Sequence, residues 1–388
     1  MARKRPPRKV RVDFRQNRQV RRRQDDWTRR FRADEEKLDD TLRHESVRAK
    51  GDLSRKRTII LGDDDSPLVD RAACRPGTVT QVHGRTCTVH DGQGQTWECS
   101  IRRVLRTRLI ETRSPVTVGD RVWFSDHAAE CDGLPVGVIE HVAERTSWLS
   151  RRDFRQREHT IVANADQLLA VLSVVQPRLR PHLADRYIVA ALKGGLRPIL
   201  CFNKVDLAED TSAAEDESQQ ATGQSVWDAI EEFRSLGYRC LCTSAVAGVG
   251  LAELRAALQD HMTVLAGQSG VGKSSLLNAL QPGLGLKTRE VSEETEKGRH
   301  TTTRAQLLPL DFGGYVVDTP GVRAFDVWGV KPGELEAFFE EFIPYVPQCQ
   351  FSDCVHRQEE GCAVIAAVEA GAISPRRYAS YLKLLAEV

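Results

Sequence analysis

The segment Gly267-Gln268-Ser269-Gly270-Val271-Gly272-Lys273-Ser274, followed by Ser275, constrains this chain more than any other stretch. Thr263-Val264-Leu265-Ala266 before it reads as a strand, and Ser275-Leu276-Leu277-Asn278-Ala279-Leu280 reads as a helix. A glycine-rich turn between strand and helix lets successive backbone N–H groups converge at the positive end of the helix, which is a phosphate site. Lys273 is then placed to neutralise the β and γ phosphates, and Ser274 to offer its hydroxyl to Mg²⁺. Such a loop calls for a parallel sheet with helices on both faces.

The surrounding pattern supplies that sheet. Leu168 to Val175 is an apolar run suited to a buried parallel strand, a helix is expected near Ala184 to Leu192, and Pro198 to Phe202 is the next strand. Val316-Val317-Asp318-Thr319-Pro320-Gly321 is a strand ending in an Asp-x-x-Gly turn, where Asp318 can hold Mg²⁺ through its water shell and Gly321 can offer its N–H to the γ-phosphate. Asn203-Lys204-Val205-Asp206 follows the strand ending at Phe202, where a base-reading loop belongs. The Asp206 carboxylate can accept two hydrogen bonds from the N1–H and exocyclic amine of guanine. Adenine has no such pair of donors, so it would leave the carboxylate unsatisfied, and this disfavours a generic P-loop ATPase. Asn203 can reach the purine N7 and brace the loops, and Lys204 can lie along the ring and tie its loop to the phosphate loop. Ser244 and Ala245, after the short strand 240–242, complete the guanine site, with the Ala245 N–H aimed at the base oxygen.

The motifs occur in an unusual order: base loop, Ser-Ala, phosphate loop, threonine-rich switch, then Asp-x-x-Gly. Ordinary small GTPases begin with the phosphate loop, so this chain is circularly permuted. The second switch therefore leads directly into the C-terminal region, a short covalent route by which nucleotide state can move that region. In the switch Gly298-Arg299-His300-Thr301-Thr302-Thr303, one of Thr302 and Thr303 can complete the Mg²⁺ shell. Many small GTPases place Gln directly after Asp-x-x-Gly to orient water, but Val322 stands there and has no hydrogen-bonding group. His300 is the catalytic candidate in its place.

Cys349-x4-Cys354-x-His356-x5-Cys362 offers three thiolates and one imidazole, a closed tetrahedral set that suits one structural Zn²⁺ and leaves no open position for catalysis. The other seven cysteines are scattered singly or in apolar surroundings and read as ordinary thiols. Residues 74–148 carry short β-rich runs, including Gly77 to Val82, Cys87 to Val89 and Arg121 to Phe124, separated by turn signals. They predict a small barrel, of the five-stranded oligonucleotide-binding (OB) kind first, with an SH3-like barrel fitting nearly as well.

The net charge of the 388 residues is only +2, yet Met1 to Arg32 holds fourteen Lys and Arg against three Asp. That composition predicts an extension over 1–70, disordered apart from one helix, whose basic arm can bind phosphate backbones. No run nears the roughly eighteen apolar residues of a membrane span, and the N-terminus lacks the apolar stretch of a signal peptide. A monomeric cytoplasmic protein with no membrane contact is expected.

In their order, Asn203 to Asp206, Gly267 to Ser275, Gly298 to Thr303, Asp318 to Gly321 and the Cys349/Cys354/His356/Cys362 set resemble the ribosome small-subunit-dependent GTPase A family, RsgA, also called YjeQ or YloQ. The resemblance covers roughly residues 74–388. It implies an OB-fold barrel at 71–150, a circularly permuted α/β GTPase domain at 151–328 and a zinc-binding helical domain at 329–388. It further implies late maturation of the small ribosomal subunit, contact with its rRNA, and GTP hydrolysis to GDP stimulated by the subunit. The alternative from the residues is a GTP-sensing RNA-binding protein in which hydrolysis is incidental.

Overall fold

The computed structural model describes residues 8–13, 56–61, 73–84, 86–102, 105, 116–131, 133–152, 158–208, 226–286, 305–318 and 329–388. His300, Thr301 to Thr303, Gly321 and Val322 lie outside them, as does most of the stretch 1–70. The two described pieces of that stretch are strands, β1 (Arg8–Asp13) and β2 (Lys56–Leu61), which pair antiparallel with Val10 opposite Ile59; the rest of 1–70, where the one expected helix would fall, is outside the described residues. Val10 and Val12 alternate with charged residues, and Thr58-Ile59-Ile60 is a β-branched run. That local β propensity was hidden under the overall charge.

Five strands form a closed barrel: β3 (Arg75–His83), β4 (Thr86–Asp91), β5 (Thr96–Ile101), β6 (Arg121–Cys131) and β7 (Leu134–Val142). Their order is β3-β4-β5-β7-β6, and β6 returns to pair with β3; only the β5–β7 pair is parallel. In β4 and β5 buried and half-buried residues alternate, the period of a strand with one face in a core. The inward set includes Val79, Val89, Trp97, Phe124 and Ile139, with the Trp97 and Phe124 rings 5.2 Å apart.

A hairpin, β8 (Trp148–Arg152) and β9 (Glu158–Ala163), straddles the joint between barrel and α/β layer. The joint is polar and directed. Asp120, fully buried, takes two hydrogen bonds from Arg145, at 2.8 and 2.9 Å, and one from the Thr117 N–H at 2.7 Å. Asn164 donates to the Gly119 carbonyl at 3.0 Å.

The α/β layer has the order β12-β11-β10-β13-β15-β14, where β10 is Gln167–Ser173, β11 Arg197–Asn203, β12 Arg239–Thr243, β13 Met262–Ala266, β14 Gln306–Pro309 and β15 Tyr315–Asp318. All pairs are parallel except β14–β15. All seven residues of β10 are buried, as expected for a strand covered on both faces. Helices α1 (Pro181–Lys193) and α2 (Val226–Ser235) cover one face with Ala184, Tyr187, Ile188, Ile230 and Phe233. Helices α3 (Leu251–Leu258) and α4 (Lys273–Leu280) cover the other with Leu254, Ala257, Leu276 and Leu277. From β10 the chain turns through α1 toward β11, and from β13 it turns through α4 toward β15. The strand order thus reverses between β10 and β13, where ligands bind in open α/β sheets. Gln306 of β14 stands opposite Asp318 of β15 and also opposite Gln81 of β3, so one ladder joins the sheet to the barrel.

After residue 329 come short 3₁₀ turns, then α5 (Ala363–Glu369) and α6 (Pro375–Leu385), around a core of Leu335, Phe339, Phe342, Tyr381 and Leu384. This region packs on α1, whose Val189 enters its core, and an ion network seals the contact. Arg377 is 1% exposed and bonds Asp185 of α1 at 2.5 Å and Glu341 at 2.5 and 3.0 Å. Arg376 bonds Asp185 at 2.8 Å and also Glu232 of α2. The C-terminal region is therefore held by the two helices on the base-loop side of the sheet.

Candidate functional site

The described candidate residues for nucleotide all stand at the C-terminal edge of the parallel strands. The phosphate loop leaves β13 in the centre, Asn203 to Asp206 leave β11, Ser244 and Ala245 leave β12, and Asp318 ends β15. The glycines are required by the turn. Gly267 has φ 144°, and a Cβ there would stand 2.3 Å from the Val171 carbonyl oxygen. Gly272, with φ 95°, would put a Cβ 2.3 Å from Asn203 Nδ2.

That second contact matters because the base loop and the phosphate loop are bolted together there. Asn203, 1% exposed, donates from Nδ2 to the Val271 carbonyl at 2.8 Å. Its Oδ1 accepts from the Thr243 hydroxyl at 3.2 Å, and Cys201 Sγ lies 3.3 Å from the same hydroxyl. Thr243 immediately precedes Ser244, so three loops share one buried network. Ser244 is buried; its N–H donates to the Val249 carbonyl at 3.0 Å and its Oγ accepts from the Ala247 N–H at 3.0 Å, leaving Ala245 half exposed at the turn.

Lys204 departs from the expected contact. It adopts φ 66°, and its ammonium donates to the Gln176 carbonyl in the loop after β10, not to the phosphate loop; the tie to that loop is made by Asn203. Ser173 donates to the same carbonyl at 2.8 Å. Burial draws the Lys204 ammonium below the usual lysine range, against the pull of Asp206. Val205 opens a 3₁₀ turn that leaves Asp206 exposed at the mouth of the site, where a base edge can reach it.

Lys273 curls back over the loop, donating to the Gly267 and Gln268 carbonyls at 2.7 and 2.9 Å. Burial lowers its pKa and raises that of Asp318, and each charge partly offsets the other's shift. A buried cation in that state gains from an arriving polyphosphate anion. Ser274 and Ser275 lie half-buried in the first turn of α4, Val271 is 2% exposed, and Ser269 and Gly270 face solvent.

In the C-terminal region Cys349, Cys354, His356 and Cys362 converge, with their donor atoms all within 4.8 Å of one another. His356 Nδ1 lies 3.6, 3.3 and 3.4 Å from the sulfurs of Cys349, Cys354 and Cys362, and Cys349 Sγ lies 4.0 Å from Cys362 Sγ. A tetrahedral ion with bonds of about 2.3 Å to sulfur and 2.0 Å to nitrogen has edges of about 3.5 to 3.8 Å, so the donor set fits a metal. His356 Nε2 lies 2.6 Å from Glu336 Oε2, which turns Nδ1 toward the sulfurs. Tyr381 and Tyr378 hold the loop by donating to the Val355 and His356 carbonyls at 2.9 and 2.8 Å. Glu359 takes N–H bonds from Val355, Arg357 and Gln358; burial resists, but these donors hold its carboxyl down to about 2.

Sequence reasoning placed Thr243 in the Ser-Ala loop without a role for its hydroxyl, and missed the Ser173–Gln176 loop, Glu336 and the Arg376/Arg377 network. Thr243 adjoins Ser244 and was within reach of the motif. Glu336 stands twenty residues before its histidine and carries no local signal.

Residues 142–328 match the family model described as RsgA GTPase. A Chlorobaculum tepidum protein named small ribosomal subunit biogenesis GTPase RsgA is 41% identical over 317 residues, spanning 80% of this chain and 96% of its own length. A protein of the same name from Thermotoga petrophila is 39% identical over 315 residues, spanning 81% and 97%. Among solved structures, YjeQ from Thermotoga maritima superposes with a TM-score of 0.62 at 37% identity, covering 81% of this chain and 98% of that one. YloQ, described as a circularly permuted GTPase, gives 0.59 at 29% identity over 83% and 97%. With 41% identity to a curated RsgA protein over 96% of that protein's length, and a matching family model over 142–328, the chain belongs to the RsgA GTPase family.

Proposed function

We propose that this chain is a GTP hydrolase that binds the maturing small ribosomal subunit, is stimulated by it, and leaves after converting GTP to GDP and phosphate. The observation that carries this reading is the hydrogen-bonded union of base loop, Ser-Ala loop and phosphate loop through Asn203. It makes guanine recognition and phosphate binding one rigid unit, and the named relatives supply the ribosomal context.

In this reading Asp206 reads guanine, the Ala245 N–H meets its oxygen, and the N–H groups of 267–275 with Lys273 hold the phosphates. Ser274, Thr302 or Thr303, and Asp318 would hold Mg²⁺, which supplies charge neutralisation on the phosphates. Gly321 offers its N–H to the γ-phosphate, and His300 orients the attacking water. The Cys349, Cys354, His356 and Cys362 cluster would hold one zinc ion as a structural brace. The barrel's order, first-second-third-fifth-fourth with its third and fifth strands parallel, supports an OB-fold whose exposed face meets rRNA. We further assign the chain to the cytoplasm as a monomer, divided at 71–150, 151–328 and 329–388; no described helix is long and apolar enough to cross a membrane.

Co-sedimentation with purified small subunits tests the reading. Binding in a non-hydrolysable GTP analogue and release in GDP is the expected result; binding indifferent to nucleotide would favour a passive RNA binder instead.

A further inference from the structure

We infer that Ser173 is a positioning residue for guanine-nucleotide binding: through the Gln176 carbonyl it presets Lys204 beside the base site. The inference rests on the guanine reading of the nucleotide site and adds the turn after β10 to that site.

The base loop is held from two sides. Asn203 ties it to the phosphate loop at Val271 and to the Ser-Ala loop at Thr243. On the other side the turn after β10 makes two contacts of its own. The Val174 N–H donates to the Asn203 carbonyl at 3.0 Å, and the Gln176 carbonyl accepts from the Lys204 ammonium. Pro177, next in the turn, has its Cδ 3.9 Å from where a Cβ on Gly270 would stand, so the same turn rests against the phosphate loop. The link expected between Lys204 and the phosphate loop is thus made at one remove.

Ser173 decides where that carbonyl points. Gln176 is exposed and lies beyond the end of β10, so no strand ladder aims its carbonyl. Ser173 is 2% exposed, and its hydroxyl donates to that oxygen at 2.8 Å, closing the turn. A carbonyl oxygen has two lone pairs, and the serine and the lysine fill them.

Lys204 needs this acceptor. Its left-handed backbone, φ 66°, fixes the direction in which the side chain leaves the loop. Burial takes water from the ammonium and draws its pKa down, so a polar partner must replace the water. Unanchored, the four-carbon stem would sample many rotamers, and nucleotide binding would have to freeze them. With the ammonium held by the Gln176 carbonyl, the stem is ordered before the purine arrives. The ordering acts at the base, which GTP and GDP share, and not at the γ-phosphate.

The test is a double-mutant cycle on the full chain, with GDP and a non-hydrolysable GTP analogue titrated calorimetrically. Ser173→Ala should weaken both by the same factor, about 3- to 10-fold, the range for one hydrogen bond. Lys204→Met should weaken both as well, and adding Ser173→Ala to it should cost nothing further, because the residue being positioned is gone. A merely structural serine would weaken binding by the same factor with or without Lys204. Circular dichroism shows whether each variant is folded; should Ser173→Ala not fold, Ser173→Cys, with a much weaker donor, takes its place in the cycle. Wild type that prefers GDP to ADP, with no loss in the serine variant or with losses that multiply, overturns this inference alone. Wild type without that preference overturns the guanine reading and this inference together.

Discussion

Replacing Arg377 by alanine removes the centre of the network that fixes the C-terminal region to the α/β layer. The guanidinium is 1% exposed, bonds Asp185 and Glu341, and stacks 4.5 Å from the Phe339 ring. Asp185, fully buried, would keep only Arg376, and Glu341 would lose both of the bonds it accepts from the guanidinium. Removing one member of a buried ion cluster costs about 3 to 5 kcal/mol, because the charge left behind stays out of water. Against a total stability of about 5 to 15 kcal/mol, that is enough to release the region. The loss should be local: residues 329–388 should become protease-sensitive and lose hydrogen-exchange protection, while GTP affinity holds, since neither Asn203 nor the phosphate loop touches the network. The exposed pair Arg255–Asp311, 3.7 Å apart, is the control and should cost less than about 1 kcal/mol when broken. Urea unfolding followed by circular dichroism gives both numbers. A loss at Arg377→Ala as small as that at Arg255→Ala would refute the claim that the network is dry and holds the two regions together.

Other outcomes follow from the two sites. Asp206→Asn should weaken GTP and favour xanthosine triphosphate, read by competition binding; unchanged GTP affinity would remove Asp206 from base reading. Zinc measured in freshly purified protein should be close to one per chain and fall in Cys354→Ala, with Glu336→Gln weakening zinc by about 10- to 100-fold in chelator competition; full occupancy in Cys354→Ala would contradict the ligand set. His300→Ala should keep GTP and subunit binding while losing stimulated turnover, and a variant with full stimulated turnover would show that another group orients the water.

Local pattern carried much of this fold. The buried runs at 167–173 and 197–203 and the glycine loop at 267–272 each announce a parallel strand or the turn that follows one, because burial on two faces leaves no polar alternation to confuse them. Cys349, Cys354, His356 and Cys362 were legible because soft ligands in close spacing have few other uses. Long-range polar pairing was not legible. Asp185 and Arg377 are 192 residues apart, and each alone reads as a surface charge on an amphipathic helix. The same holds for Lys204, whose partner Gln176 is set by how the loop after β10 turns, a feature with no motif. The permuted order suggested that nucleotide state reaches the C-terminal region through the second switch. The ion network shows that this region is also anchored on α1 and α2, so a moving switch would have to work against a fixed attachment.

We propose that the small ribosomal subunit drives GTP turnover by this chain. The most direct measurement is the steady-state rate of phosphate release from GTP and from ATP, with and without purified small subunits. Slow release from GTP alone, a marked rise on adding subunits, and little release from ATP in either case are predicted. Equal rates with and without subunits would contradict stimulation by the subunit, and equal use of ATP would contradict guanine specificity.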